Sequence, residues 1–274
     1  MPWFELLGFV VFGFFVGTYG SMVGVGGGFL VVPLLLALGF PARIAAGTSV
    51  IVVLANAASS TVTYLRQRRI DLQSGLIFSV AGIPGAIAGA WVDQHVPHRV
   101  FSLLFAALLI LVAGRSLFAR NEPLPDAQAS EEAGPEEAGH SRDFVDAFGV
   151  HHQYRFNIWV GVGISIVTGF LASMFGIGGG VVQVPAMIYL LHFPTHVAVA
   201  TSSLVIFVTA LFGGAAHAHY GDVLLYPALF LSIGAVAGAQ LGAQLSARMK
   251  PGPLMRWFSL IVVFAVLFLL LRGR

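Results

Sequence analysis

The sequence predicts an all-α integral membrane protein made of two inverted-topology repeats of about five helices each, with helices broken at glycine-rich loops. Three observations predict it. Hydrophobic residues fill 57% of the 274 positions and charged residues 9%, with a mean hydropathy of +0.88, whereas a soluble domain carries about 25% charged residues. Gly24-Val-Gly-Gly-Gly28 returns as Gly176-Ile-Gly-Gly-Gly180, each copy inside a long uncharged stretch. The loops rich in Lys and Arg fall after the third apolar segment in one half and after the fourth in the other.

The duplication extends beyond the glycines. Gly20-Ser-Met-Val-Gly-Val-Gly-Gly-Gly-Phe-Leu-Val-Val-Pro33 aligns with Ala172-Ser-Met-Phe-Gly-Ile-Gly-Gly-Gly-Val-Val-Gln-Val-Pro185, identical at eight of fourteen positions. Phe40-Pro41 and Thr48-Ser49 return as Phe193-Pro194 and Thr201-Ser202, an offset of 153. A glycine break at membrane depth leaves N–H and C=O groups that lipid cannot satisfy, so it survives where protein or a polar cavity surrounds it. Paired interruptions at matching places in two halves point to a transport site.

A span needs roughly 20 apolar residues, and fewer when it is a partial helix. In order, the apolar segments are 6–19, 29–38, 47–65, 72–92 and 100–114, then 156–175, 181–191, 197–216, 223–247 and 254–271. Segments 6–19 and 29–38 are both short, as half-helices would be, and 156–175 with 181–191 match that opening pair. The domains expected are a first transmembrane repeat over 1–118, an acidic cytoplasmic linker over 119–155, and a second repeat over 156–274. The linker holds eight of the twelve acids and three of the fourteen Lys and Arg residues. Residues 121–150, rich in Glu, Ala, Pro and Gly, read as solvated, partly helical at most, with no core of their own.

Charge orients the spans. Arg66, Arg68 and Arg69 follow the third segment of the first half, and Arg248, Lys250 and Arg256 follow the fourth of the second. Placing both loops in the cytoplasm inverts one half relative to the other, which an odd number of segments per repeat also requires. The linker then lies in the cytoplasm and both termini outside, and a re-entrant first pair leaves that sidedness unchanged. The N-terminus has no basic n-region, so its apolar run reads as a retained span. The absence of cysteine excludes disulfides and thiolate chemistry. The basic excess outside the linker fits loop anchors, not nucleic acid.

The two Gly-x-Gly-Gly-Gly copies, each preceded by Ser-Met and followed by Val-Pro, with Thr-Ser downstream, resemble the sulfite/organosulfonate exporter family (TauE/SafE type, the toluene-sulfonate uptake permeases). The resemblance covers about 5–118 and 156–271. It implies a bacterial inner-membrane carrier of sulfur-containing anions such as sulfite, sulfonates or thiosulfate, exporting or importing. The partners implied are a small anion and the lipid bilayer, with homo-oligomerisation left open.

A sulfonate is a permanent anion rich in acceptors, so a buried site must replace its water with donors. Unpaired N–H groups at a helix N-terminus supply them, and glycine lets backbone approach closely and offer successive N–H groups. The expected anion ligands are therefore Gly24, Gly26, Gly27 and Gly28 with Gly176, Gly178, Gly179 and Gly180; the alternative is close helix packing. Ser21, Thr48 and Ser49, with their counterparts Ser173, Thr201 and Ser202, can donate hydroxyls, or can bond to a carbonyl one turn back. Asn56 and Gln183 are lone amides that fit binding or interhelical bonding equally. Arg43 and His196 are expected at the membrane interface, and Tyr64, Arg66, Arg68 and Arg69 as topology anchors. Gly82, Gly85 and Gly89, with Gly234, Gly238 and Gly242, read as packing seams. His217 and His219 are too few to form a metal site, and neither a cofactor nor an enzymatic motif is present.

Overall fold

The computed structural model describes residues 3–118 and 140–249. The apolar runs become helices α1 (Trp3–Val23), α2 (Gly28–Ala37), α3 (Ala42–Arg66), α4 (Leu72–Asp93) and α5 (His98–Phe118). Strands β1 (His140–Val145) and β2 (His151–Phe156) follow, then α6 (Ile158–Phe175), α7 (Gly180–Tyr189), α8 (Thr195–His219) and α9 (Leu225–Arg248). Among the described residues, six helices (α1, α3, α4, α6, α8 and α9) are long and apolar enough to cross a membrane. The expected segment 254–271 and the linker residues 119–139 lie outside the described residues.

The glycine seams set how the helices pair. A Cβ on Gly85 or Gly89 would overlap the carbonyls of Ile166 and Phe170 on α6, and one on Gly238 or Gly242 those of Phe14 and Thr18 on α1. Small residues let two backbones meet this closely. Helix α6 therefore runs beside α4 in the same direction, and α1 beside α9 likewise. Helices α3 and α8 lie antiparallel. Thr48, near the start of α3, accepts from the N–H of Leu224 just past α8 (3.0 Å), and Thr201, near the start of α8, accepts from the N–H of Asp71 just past α3 (3.0 Å).

Helices α2 and α7 have ten residues each and are half-helices as expected. Helix α1 is not: it has 21 residues and carries Ser21 within its last turn. It enters beside the start of α9, and α2 comes back to the face where α3 begins. The α1–α2 pair thus enters and leaves at one face. This keeps the freed backbone of the break inside the protein, where Val25 and Phe29 are buried.

The larger departure is a β-hairpin within the stretch read as a coreless linker. Strands β1 and β2 pair antiparallel from His140↔Phe156 to Val145↔His151. Residues 152, 154 and 156 of β2 are buried and those between are exposed. Tyr154 and Phe156 pack on Phe193, with ring centroids 4.5 and 4.9 Å apart. Arg69 is 5% exposed, so it is not a solvated anchor. It pairs with Asp146 (3.1 Å) and stacks over the Phe148 ring at 4.6 Å. Arg142 pairs with Asp71 at 3.2 Å, and the Tyr154 hydroxyl donates to the same carboxylate at 2.7 Å.

Outside the spans, these contacts tune the hairpin's ionisable groups. Burial alone would raise Asp146, but the N–H groups of Val150 and Phe148, with His152 and Arg69, outweigh it and hold the carboxyl below its ordinary value. Burial lowers His152 despite its contact with Asp146. Burial, then Asp71, raises Tyr154.

Candidate functional site

The two glycine loops meet at the centre of the helix bundle. Gly26 and Gly178 both have left-handed backbones, with φ of 83° and 86°. A Cβ on Gly26 would meet Val53 and Ile206 side chains, the midpoints of α3 and α8, and lie 3.8 Å from the Gly178 Cα. The approach is reciprocal: a Cβ on Gly28 would overlap the Gly176 carbonyl, and one on Gly180 the Gly24 carbonyl. Only glycine leaves room for the two backbones to cross at this distance.

Each half holds the other half's loop. The Ser49 hydroxyl donates to the Gly176 carbonyl (2.6 Å), and the Ser202 hydroxyl to the Gly24 carbonyl (2.8 Å). Further along, the Tyr64 hydroxyl donates to the Ser21 carbonyl (2.7 Å), and His217 Nε2 lies 2.9 Å from the Ser173 carbonyl. These contacts turn loop carbonyls toward side-chain donors and leave amides over. The N–H groups of Val25 and Gly26 both turn back to Gly20 O, at 2.7 and 3.1 Å. Those of Gly27, Gly28, Gly178 and Gly179, like those of Gly176 and Ile177, make no backbone hydrogen bond among the described residues. Gly27 and Gly179 are the N-caps of α2 and α7, so these amides sit at the positive ends of two half-helix dipoles.

The expected ligands therefore separate into groups. The eight glycines, Ser49 and Ser202 come together at the crossing. Ser173 lines a small cavity there with Gly178, Val50, Val53, Ala172, Thr209 and Ala210, and its buried hydroxyl has no partner. Asn56, 0% exposed with neither side-chain polar atom bonded, stands one turn along α3 from Val53. Gln183 accepts at Oε1 from the Thr168 hydroxyl (3.2 Å), which leaves its buried Nε2 donor unpaired. A buried unpaired amide costs about 1–3 kcal/mol, so such groups mark places where another partner is expected. Ser21 instead bonds to the Gly17 carbonyl one turn back (2.8 Å). The Thr48 and Thr201 hydroxyls serve the corners at Leu224 and Asp71.

One cluster of side chains has no local signature in the sequence. Asp222 pairs with Arg43 (3.7 Å) and His217 Nδ1 (3.6 Å) and accepts from Gln94 Nε2. Asp93 is 2% exposed beside them. Each of these residues ends a span or sits in a corner, so each reads alone as an interface charge. Only the antiparallel placement of α3 and α8 brings them together.

Residues 9–269 match the family profile described as Sulfite exporter TauE/SafE. A Bacillus subtilis protein named "Probable membrane transporter protein YunE" is 35% identical over 262 residues, 93% of each chain. "Probable membrane transporter protein MJ0441" of Methanocaldococcus jannaschii is 26% identical over 278 residues, 96% of this chain and 94% of that one. "Sulfite exporter TauE/SafE family protein 3" of Arabidopsis thaliana is 32% identical over 107 residues, 39% of this chain and 22% of that one. No solved structure matches.

Proposed function

Because the chain belongs to the sulfite exporter TauE/SafE family, a family of membrane transporters and not of enzymes, we propose that it is a secondary transporter of small sulfur-containing anions such as sulfite or organosulfonates. The anion would lie where the glycine loops cross. One observation carries this reading: the glycine amides that open two buried half-helices meet at one crossing, where the unpaired Ser173 hydroxyl lines a small cavity at Gly178. Such amides favour negative charge and match the acceptors of an oxyanion.

The two halves would be inverted repeats. Helix α1 parallels α9 and α6 parallels α4, while α3 opposes α8, which supports that symmetry. The α3–α4 corner, the hairpin and the end of α9 share one face, since Gln67 Nε2 donates to the Ala243 carbonyl (3.1 Å) and the N–H of Ala147 to the Gln67 carbonyl (2.9 Å). That face carries Arg66, Arg68, Arg69, Arg142 and Arg248. By the positive-inside rule it is cytoplasmic, and the membrane is the bacterial inner membrane. Rocking of the halves would expose the crossing to each side in turn. A potential negative inside drives a monovalent anion outward with about 2.3 kcal/mol per 100 mV, so potential alone suffices for export.

The test is a binding screen of sulfite, thiosulfate, sulfoacetate, taurine and sulfate on the purified protein, followed by flux in liposomes. Saturable flux with counterflow is expected of a carrier. Non-saturating flux without counterflow would instead indicate an anion channel of the same fold.

A further inference from the structure

The cluster at the face opposite the basic loops is not used by the transport reading. Asp93 and Asp222 are 2% and 1% exposed. Asp222 is held from three elements: Arg43 on α3, His217 on α8, and Gln94 just past α4. Asp93 has a carboxylate oxygen with no hydrogen-bond partner. Asp93 precedes Gln94, whose amide reaches Asp222, and the Arg43 side chain that pairs with Asp222 is 57% exposed, open to water. Two buried carboxylates facing one half-solvated guanidinium carry an uncompensated negative charge. Burial of such a charge is costly, and neighbouring carboxylates relieve the cost when one of them takes up a proton.

The opposite corner sharpens the point. At the offset of 153, Asp93, Asp222, His217 and Arg43 correspond to Ser246, Arg69, Tyr64 and His196. Tyr64 and His217 make the same bond, each to the carbonyl of the serine that precedes its glycine loop. One copy uses a phenol for that bond. The other uses an imidazole whose second nitrogen faces a carboxylate at 3.6 Å. The carboxylates and the imidazole thus occur together in one copy, and they reach the crossing through Ser173, which lines the cavity at Gly178.

We infer that Asp93, Asp222 and His217 form a proton-binding site coupled to the anion site through the His217–Ser173 contact, so that the anion binds together with a proton. The inference rests on the proposed transport site. In this step one aqueous proton adds to a carboxylate oxygen of the Asp93–Asp222 pair, and no other bond is made or broken. The negative charge in front of the crossing disappears, and an anion arriving from that face no longer meets it. By linkage the bound anion favours the proton in equal measure. With one proton per monovalent anion the transfer is electroneutral, so this coupling replaces export driven by potential with movement that follows the proton gradient in either direction.

The experiment is the affinity for methanesulfonate and thiosulfate, measured by titration calorimetry on the detergent-solubilised full chain between about pH 5 and pH 8, where neither probe changes charge. These two anions keep the substrate's own titration out of the result. Wild type should weaken with rising pH, by up to about tenfold per unit where one proton is linked, and should take up protons when buffers of different ionisation enthalpy are compared. Asp93→Asn should bind at every pH as wild type does at low pH, with a flat profile. His217→Gln retains a donor for the Ser173 carbonyl and should flatten the profile in part. A flat wild-type profile, an unchanged slope in Asp93→Asn, or dependence on sodium in place of pH overturns the coupling alone. Wild type that binds neither probe at any pH overturns the coupling and the transport reading together.

Discussion

The corner between α3 and α4 and the corner between α8 and α9 are built from equivalent positions, yet they are secured differently. Both use a threonine hydroxyl to receive the N–H that opens the next helix, Thr201 for Asp71 and Thr48 for Leu224. Beyond that they diverge. The first corner is covered by the hairpin and closed by two ion pairs, Arg69–Asp146 and Arg142–Asp71. The second has no such cover among the described residues, and its one guanidinium, Arg43, is more than half exposed. Matching residues therefore give both corners the same backbone frame, while differing side chains make one a clamp and the other a cluster of titratable groups.

The comparison is tested most severely by removing one arginine from each corner. Arg69→Ala leaves the buried Asp146 without its guanidinium, a loss of up to about 3–5 kcal/mol, reduced by the N–H groups and His152 that still reach the carboxylate. Arg43→Ala removes a guanidinium already more than half in water and leaves Asp222 its contacts with His217 and Gln94, so it should cost less than Arg69→Ala. Thermal unfolding midpoints of the two variants in one detergent would measure the difference, and equal midpoints would mean that the hairpin is not a clamp. Tyr154→Phe removes a buried donor to Asp71 and should cost about 1–3 kcal/mol; limited proteolysis between β1 and β2 should speed up in step with it. Thr48→Val and Thr201→Val should each cost about 1 kcal/mol. Near-equal values are expected, because this bond is the part the two corners share.

Acid should loosen the first corner. Both Asp146 and His152 titrate below their ordinary values in the folded chain. Below the unfolded imidazole value of about 6.5, the undocked hairpin binds the proton that His152 refuses, so docking weakens as pH falls. Asp146 adds to this as pH drops through the carboxylate range, and stability from both groups is fully present above about pH 6.5. Hydrogen exchange of the hairpin amides at pH 7 and pH 5 would show it: once the slower base-catalysed chemical step at pH 5 is divided out, lower protection is expected at pH 5. His152→Phe should keep the packing and remove the portion between those two values.

Much of the fold was legible because duplication writes it twice. The glycine runs, Phe40-Pro41 with Phe193-Pro194, and the two glycine seams state their own roles through small size and fixed spacing. The short helices α2 and α7 followed from the same marks. The hairpin was hidden because its stability comes from Arg69, Asp71 and Phe193, all remote in sequence. The alternation His152, Tyr154, Phe156 was present but sat at the edge of an acidic stretch and was outweighed by composition. At the site, the glycines and the Ser49 and Ser202 ties are readable as repeated residues. That Thr48 and Thr201 serve the corners, and that Asp93 meets Asp222, depends on antiparallel α3 and α8 and has no local signature.

The crossing also sets a limit on mutagenesis. A side chain on Gly27 would run into Val16, and its φ of 83° strains any other residue. Glycine replacements will therefore damage the fold along with any site. The most direct test of the central claim leaves the chain intact: crystals grown or soaked with selenite, the selenium counterpart of sulfite, and measured at the selenium edge. An anomalous peak is expected between Gly26–Gly28 and Gly178–Gly180, within hydrogen-bond reach of their amides. Selenium ordered elsewhere in the bundle, with that crossing empty, would contradict it.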